Sequence, residues 1–458
     1  MQSKHSASFW ITFAVLAGLF LFGWFVFWEV KHQGLGSLSG IMDKLPVSSG
    51  LKGNATAVGF LADAVMDTDG EERVYLILLQ NNLELRPGGG FIGSFGILKV
   101  KDGHVTDFSI HDSGVFDGRI PDTVEPPYPM KETLGIPSWK LRDSNWEPDF
   151  PTNAKKAVEF YELGQGGEKF DGIVGITTDV LSSFLRVTGP VEVPGYPGTY
   201  SAENAVIDLE YQVEKGYAEQ GIETGERKSV MGILGDQILV KVRELPPQDL
   251  FKLFQVILTD LDQKDIQLNF ADADLQRQVV SAGWAGSFDG GWPDDFVMAV
   301  DANLNSWKSD AVVKRSLDYE IDLSGETPKA RTTIHYEHTG KVKDFMTKDY
   351  QTFLRLYVPE DSWLRSVSGN AKEPVFGDFM GKKYFGVLVH VPLGTSKDVS
   401  FEYDLPKDLE RTLYDLKIQK QPGVNGMPVT ISIVAEDGTR TEKDIVLNRD
   451  FVLSRATE

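Results

Sequence analysis

A chain of 458 residues without a cysteine has no disulfides to staple it, so its stability rests on burial, and it is long enough to build more than one core. Its 67 acidic against 46 basic residues leave a formal charge of −21, a field that repels polyanions and argues against nucleic acid and against broad attraction to anionic lipid heads. An anionic ligand would need a local pocket of lysines and arginines.

Residues 1–8 form a short tail with Lys4 and no acid. Residues 9–28 hold no charge. At ~1.5 Å per residue they span about 30 Å, the hydrocarbon thickness of a bilayer. Trp10 lies near one end and Trp24 and Trp28 near the other, where indole rings prefer the lipid boundary. The run exceeds the apolar part of a cleaved signal peptide and continues into Glu29, Val30 and Lys31, which predicts an uncleaved single-pass anchor. Lys4 favours a cytoplasmic tail, with the bulk of the chain outside the cytoplasmic membrane. Residues 29–53, rich in Gly and Ser, read as a flexible stalk.

From 54 to 310, strand-like and helix-like segments alternate, which predicts a layered α/β domain. A short helix is expected at 55–66, a central strand at 74–79, and a hairpin of 95–100 and 105–110 around Lys101-Asp102-Gly103. Thr152 is expected to cap a helix reaching Leu163, before a buried strand at 170–176. Three helices follow, at 202–219, 227–242 and 248–261, each with an apolar stripe suited to a core. From 311 to 458 the helical period gives way to about seven strands, at 317–323, 331–338, 353–358, 384–391, 399–403, 416–418 and 429–434, the pattern of a β-sandwich.

Three polar segments are candidates for chemistry. Gln80 to Ser94 contains G-x-G-x-x-G at Gly88, Gly90 and Gly93, but Phe91 onward reads as extended, whereas a dinucleotide site needs a helix to begin there. The backbone of Gly89 and Gly90, the Asn81 and Asn82 amides and Arg86 could instead donate to a ligand, or satisfy carbonyls within a tight loop. His111 and Asp112, followed by Arg119, lie at the far end of the hairpin, where an oriented base, a metal ligand or a solvated turn are all open. Arg142-Asp143-Ser144-Asn145-Trp146 reads as a ligand clamp or a local ion pair. Neither H-E-x-x-H nor G-x-S-x-G occurs, and Asp67-Thr68-Asp69-Gly70 lacks the spacing of a calcium loop.

The segment Leu79 to Ser94 and the segment Arg142 to Pro151 resemble the signature of a bacterial family known as domain of unknown function 4012. Ala302-Asn303-Leu304 with Lys308 and Asp310, and Ile418 to Gly423, look like its later landmarks. The order of elements also resembles the LytR–CpsA–Psr family, membrane-anchored enzymes that move a phosphoglycosyl polymer from a polyprenyl-pyrophosphate carrier onto peptidoglycan. The passage Thr188-Gly189-Pro190-Val191 and the turn Gly225-Glu226-Arg227-Lys228 carry that likeness. This chain departs from the family by His111-Asp112 in place of an Arg-Asp, and by Gly93-Ser94 where the relatives have an acid.

The resemblance implies a LytR–CpsA–Psr-like α/β core in a cell-envelope protein that binds or scaffolds, with the β-sandwich meeting other envelope proteins. The alternative it implies is a phosphotransferase or pyrophosphate hydrolase acting on polyprenyl-linked cell-wall glycopolymer. In that scheme Arg86 and Arg227 neutralise phosphate, with Lys228 in the same basic turn, and Asp112 holds magnesium or orients His111.

Overall fold

The computed structural model of the chain describes residues 70–102 and 104–454. The expected tail, anchor, stalk and helix at 55–66 lie outside them. Among the described residues no helix is long and apolar enough to cross a membrane. The chain divides into two units interleaved along the sequence. The first holds residues 70–80, Ile92–Ile120 and Ala154–Ser287, and the second holds Asn81–Phe91, Pro121–Asn153 and everything described from Phe288 onward. This differs from a simple division at residue 310, because the second unit recruits two earlier excursions of the chain.

In the first unit, strand β1 (Glu72–Asn81) carries the apolar run Tyr75 to Leu79 and takes the expected central place. Strands β2 (Phe91–Lys101) and β3 (His104–Asp112) pair antiparallel as the predicted hairpin, with Ser94 opposite Asp112 and Phe95 opposite His111. A one-turn helix α1 (Ser113–Asp117) follows, then α2 (Phe150–Leu163). The cap of α2 is Asp149 rather than Thr152: its carboxylate accepts from the Thr152 amide at 2.9 Å. Strand β4 (Gly172–Thr177) runs parallel to β1, and α3 (Asp179–Thr188) leads to the short ribbon of β5 (Val191–Glu192) and β6 (Thr199–Tyr200).

The helix expected at 202–219 is α4 (Ala205–Tyr211), continued by a π-turn at Gln212–Gly216 and a last turn at Tyr217–Glu219. Helices α5 (Ser229–Glu244) and α6 (Pro247–Asp262) match expectation. Strand β7 (Ile266–Phe270) closes the sheet in the order β3-β2-β1-β4-β7, and α7 (Ala273–Ser281) follows. The apolar stripes of α5 and α6 are core: Leu234, Ile238, Leu253, Ile257 and Leu261 pack into one cluster with Ile77, Val174 and Leu268 of the sheet.

The second unit is a β-sandwich of two six-stranded sheets. One has the order β12-β15-β10-β9-β17-β18, with β9 (Val313–Asp322), β10 (Lys329–His338), β12 (Trp363–Ser368), β15 (Ser396–Asp404), β17 (Met427–Val434) and β18 (Arg440–Leu447). The other has the order β13-β14-β11-β8-β16-β19, with β8 (Asp295–Asn303), β11 (Tyr350–Pro359), β13 (Val375–Phe379), β14 (Lys382–Val391), β16 (Asp415–Ile418) and β19 (Phe451–Ser454). Leu317, Ile334, Phe401 and Ile431 from the first sheet share a core with Val297, Leu356, Val387 and Leu416 from the second. All seven expected strands are present. The other five are β8, β12, β13, β18 and β19.

Candidate functional site

The polar segment after β1 folds into the second unit, and Arg86 is its pivot. Only 1% of Arg86 is exposed. Its Nε donates to Asp143 Oδ1 at 2.8 Å, one terminal nitrogen to the Asn303 carbonyl at 2.8 Å, and the other to Glu84 Oε1 at 2.9 Å. A guanidinium spent on two carboxylates and a backbone oxygen has no fork left for a ligand. The loop is stitched on every side. The Leu85 amide donates to Asp310 Oδ2 at 2.9 Å, Gln421 Nε2 to the Arg86 carbonyl at 3.3 Å, and Asn82 Nδ2 to the Gly423 carbonyl at 3.2 Å.

Asn81 Oδ1 accepts from the Leu83 amide at 3.0 Å, and the Gly89 amide donates to the Arg86 carbonyl at 2.9 Å. The Gly88 amide donates to the Asn145 carbonyl at 3.0 Å, and Asn145 Nδ2 returns a bond to the Gly90 carbonyl at 2.5 Å. A Cβ at Gly88 would meet Asn153 Nδ2 at 2.5 Å, and one at Gly90 would meet the Asn81 carbonyl carbon at 2.4 Å, so both glycines are demanded by close approach. Arg142 stands on the 3-10 turn Leu141–Asp143 of the same clasp.

In the first unit a different group converges. Ser94 and Asp112 are register partners across β2 and β3, so they stand on one face of the hairpin. Lys228, immediately before α5, reaches them. Its Nζ lies 2.5 Å from Asp112 Oδ2, 2.6 Å from the Gly93 carbonyl and 3.2 Å from Ser94 Oγ. Asp112 also caps α1, accepting from the Val115 amide at 2.9 Å. Arg227 pairs with Glu214 at 3.6 Å.

Burial would push the Asp112 carboxyl up; the bond and charge of Lys228, the Val115 amide and the Arg227 charge outweigh it and hold the carboxyl below its usual range. Lys228, 23% exposed, is pulled below the usual lysine range by burial, against the opposing pull of Asp112. Lys228 and Arg227 here meet three carboxylates, Asp112, Glu210 and Glu214, so their charge is compensated before any ligand arrives. Among the described residues no group of three or more His, Cys, Asp or Glu is placed to share a metal.

His111 and Asp112 do not form a pair. Neighbouring residues of a strand face opposite sides. The His111 ring stacks on Phe95, centroids 5.1 Å apart, with its Nε2 3.0 Å from Ser109 Oγ. Burial, followed by the charge of Arg119, lowers its pKa and keeps the ring neutral at pH 7. Arg119 lies over Phe116 at 5.5 Å, and Phe116 stacks on Tyr161, part of the same aromatic group.

Residues 70–213 match the family model described as a protein of unknown function, DUF4012. The chain carries the DUF4012 domain. No curated protein matches the chain. Among solved structures, the Lin1025 protein from Listeria innocua is 14% identical over 47% of this chain and 80% of its own, with a TM-score of 0.26. The gbs0355 protein from Streptococcus agalactiae is 11% identical over 49% of this chain and 76% of its own, with a TM-score of 0.29. Likenesses at that level identify no function.

Set on the fold, the two DUF4012 signature segments hold each other: Arg86 with Asp143, and Gly88 and Gly90 with Asn145. The landmarks at Asn303, Asp310, Gln421 and Gly423 all bond to the same loop. Of the residues singled out in the sequence, Ser94, Asp112 and Lys228 come together, with the Arg227 charge felt at both Asp112 and Lys228. Asn81, Asn82, Arg86, Gly89 and Gly90 build the clasp. Glu210 and Glu214, whose charges balance Lys228 and Arg227, were not among the sequence candidates; their i, i+4 spacing ahead of a basic pair is the signal that marks them.

Proposed function

We propose that this protein is an extracytoplasmic cell-envelope component, tethered through residues 9–28, that binds or scaffolds without transfer chemistry. The observation that carries the reading is the state of its cations. Arg86 is buried in a clasp with Asp143 and Glu84, and Lys228 is locked to Asp112. A pyrophosphate needs charge-assisted donors that are free to turn toward it. Here each would first have to leave a carboxylate. Two broad sheets in the second unit supply the area that an interaction module needs.

One arrangement favours a second reading, a phosphotransferase or hydrolase with a LytR–CpsA–Psr-like core. Ser94, Asp112, Lys228 and Arg227 do gather at the end of β3, the kind of strand terminus where α/β folds place ligands. Asp112, which that reading assigns to magnesium, is held instead by Lys228 and the Val115 amide, so the residues present do not fit the ion.

The binding reading is tested by sedimenting the full-length protein, in detergent, with purified peptidoglycan sacculi. It predicts saturable recovery in the pellet. Recovery no greater than that of an unrelated protein of similar charge would remove its support.

A further inference from the structure

The outer face of the sheet β12-β15-β10-β9-β17-β18 is not a uniformly solvated surface. It holds a groove of about 680 Å³, within the range of small-ligand sites. Charges of alternating sign cross its floor in register. One row reads Asp404, Lys329, Asp322 across β15, β10 and β9, and the next reads Glu402, Arg331, Glu320. Arg331 binds Glu402 at 2.6 Å and faces Glu320 at 3.9 Å, while Arg365 and Arg440 stand at opposite sides. Four cations therefore balance four carboxylates, and the groove has no net charge to attract an anion or a cation.

Two further observations point to a ligand. Asp404 is 7% exposed, and Arg365 Nε binds its Oδ2 at 2.8 Å. Its Oδ1 is buried with no hydrogen-bond donor. A buried carboxylate oxygen without a donor is costly, and a donor arriving through the groove would remove that cost. Directly opposite Asp404 on the edge strand β12 is Trp363, 68% exposed, a flat apolar plate at the margin of a polar floor.

We propose that this groove binds a neutral saccharide. A sugar presents hydroxyls that donate and accept in alternation, which suits rows of carboxylate and guanidinium, and an apolar ring face, which suits an exposed indole. An extended peptide fits less well, since it pairs through strand edges and the groove lies over the centre of a sheet whose backbone groups are already in ladders. The inference rests on the binding reading above and names the ligand class for its β-sandwich.

The test is isothermal titration of the full-length protein, in detergent, with chitohexaose, cellohexaose and maltohexaose in turn. At least one binds with a Kd below about 1 mM. Asp404→Asn weakens it about tenfold or more, and so does Arg440→Ser, an exposed change that spares the fold. Failure of all three sugars to bind overturns the groove, as does binding that both substitutions leave unchanged. Retention on sacculi without hexaose binding sinks this inference alone; failure of both sinks the binding reading as well.

Discussion

Removing the Arg86 guanidinium would break the ion pairs of the Asp143 and Glu84 carboxylates, side chains 5% and 7% exposed. Breaking a buried ion pair from one side costs about 3–5 kcal/mol, because the remaining charge stays out of water. Arg86→Met is therefore expected to lose stability of that size in a urea melt. Arg86→Lys is expected to restore only part of it, since a single ammonium cannot bridge Asp143, Glu84 and the Asn303 carbonyl together. A ligand-binding arginine would behave differently, leaving the melt nearly unchanged. Little of this was legible in the sequence. Arg86 looks like an anion donor because Gly and Asn surround it, whereas two of its partners, Asp143 and Asn303, lie 57 and 217 residues away. His111 and Asp112 looked like a pair for a similar reason: adjacency in sequence suggests contact, but the strand turns them to opposite faces.

At the scale of the element, the sheet β12-β15-β10-β9-β17-β18 carries a titrating contact. His335 on β10 lies between Asp398 of β15, 2.8 Å from Nδ1, and Asp318 of β9, 3.0 Å from Nε2. Burial would lower its pKa; the bonds and charges of the two carboxylates outweigh burial and raise it above 6.5. The folded imidazole therefore holds its proton to a higher pH than the unfolded one. The stability from this contact is complete below about pH 6.5 and is lost as pH rises through the raised value. Urea midpoints measured from pH 5.5 to 8.5 are expected to fall across that window in the parent more than in His335→Gln. Parallel curves would show that the two carboxylates do not favour the charged ring.

Elements themselves were largely readable. All seven expected strands and the β2–β3 hairpin exist because alternating and continuous apolar runs report burial directly. Two of the missed strands lacked that signal. In β12 and β18 most residues are exposed, so the sequences Trp363 to Ser368 and Arg440 to Leu447 read as polar loops. Strand β8 has the same apolar run as an α/β strand, which placed the boundary some twenty residues too late.

For the whole molecule, the proposed function separates binding from transfer chemistry. An acidic chain of net charge −21 can host an anionic carrier only where cations are free, and Arg86, Arg227 and Lys228 are already paired with carboxylates. The fold also explains why the DUF4012 signature says little about activity. Its glycines, Arg86 and the Asp143-to-Asn145 turn are spent on holding one loop in place, so a reader of the motif sees folding information. The most direct measurement is phosphate release from farnesyl pyrophosphate by the full-length protein in detergent, with and without magnesium. No release above a protein-free control is expected in either condition. Release that Lys228→Ala abolishes, in a variant that melts like the parent, would contradict it and make the Asp112–Lys228 cluster a catalytic centre.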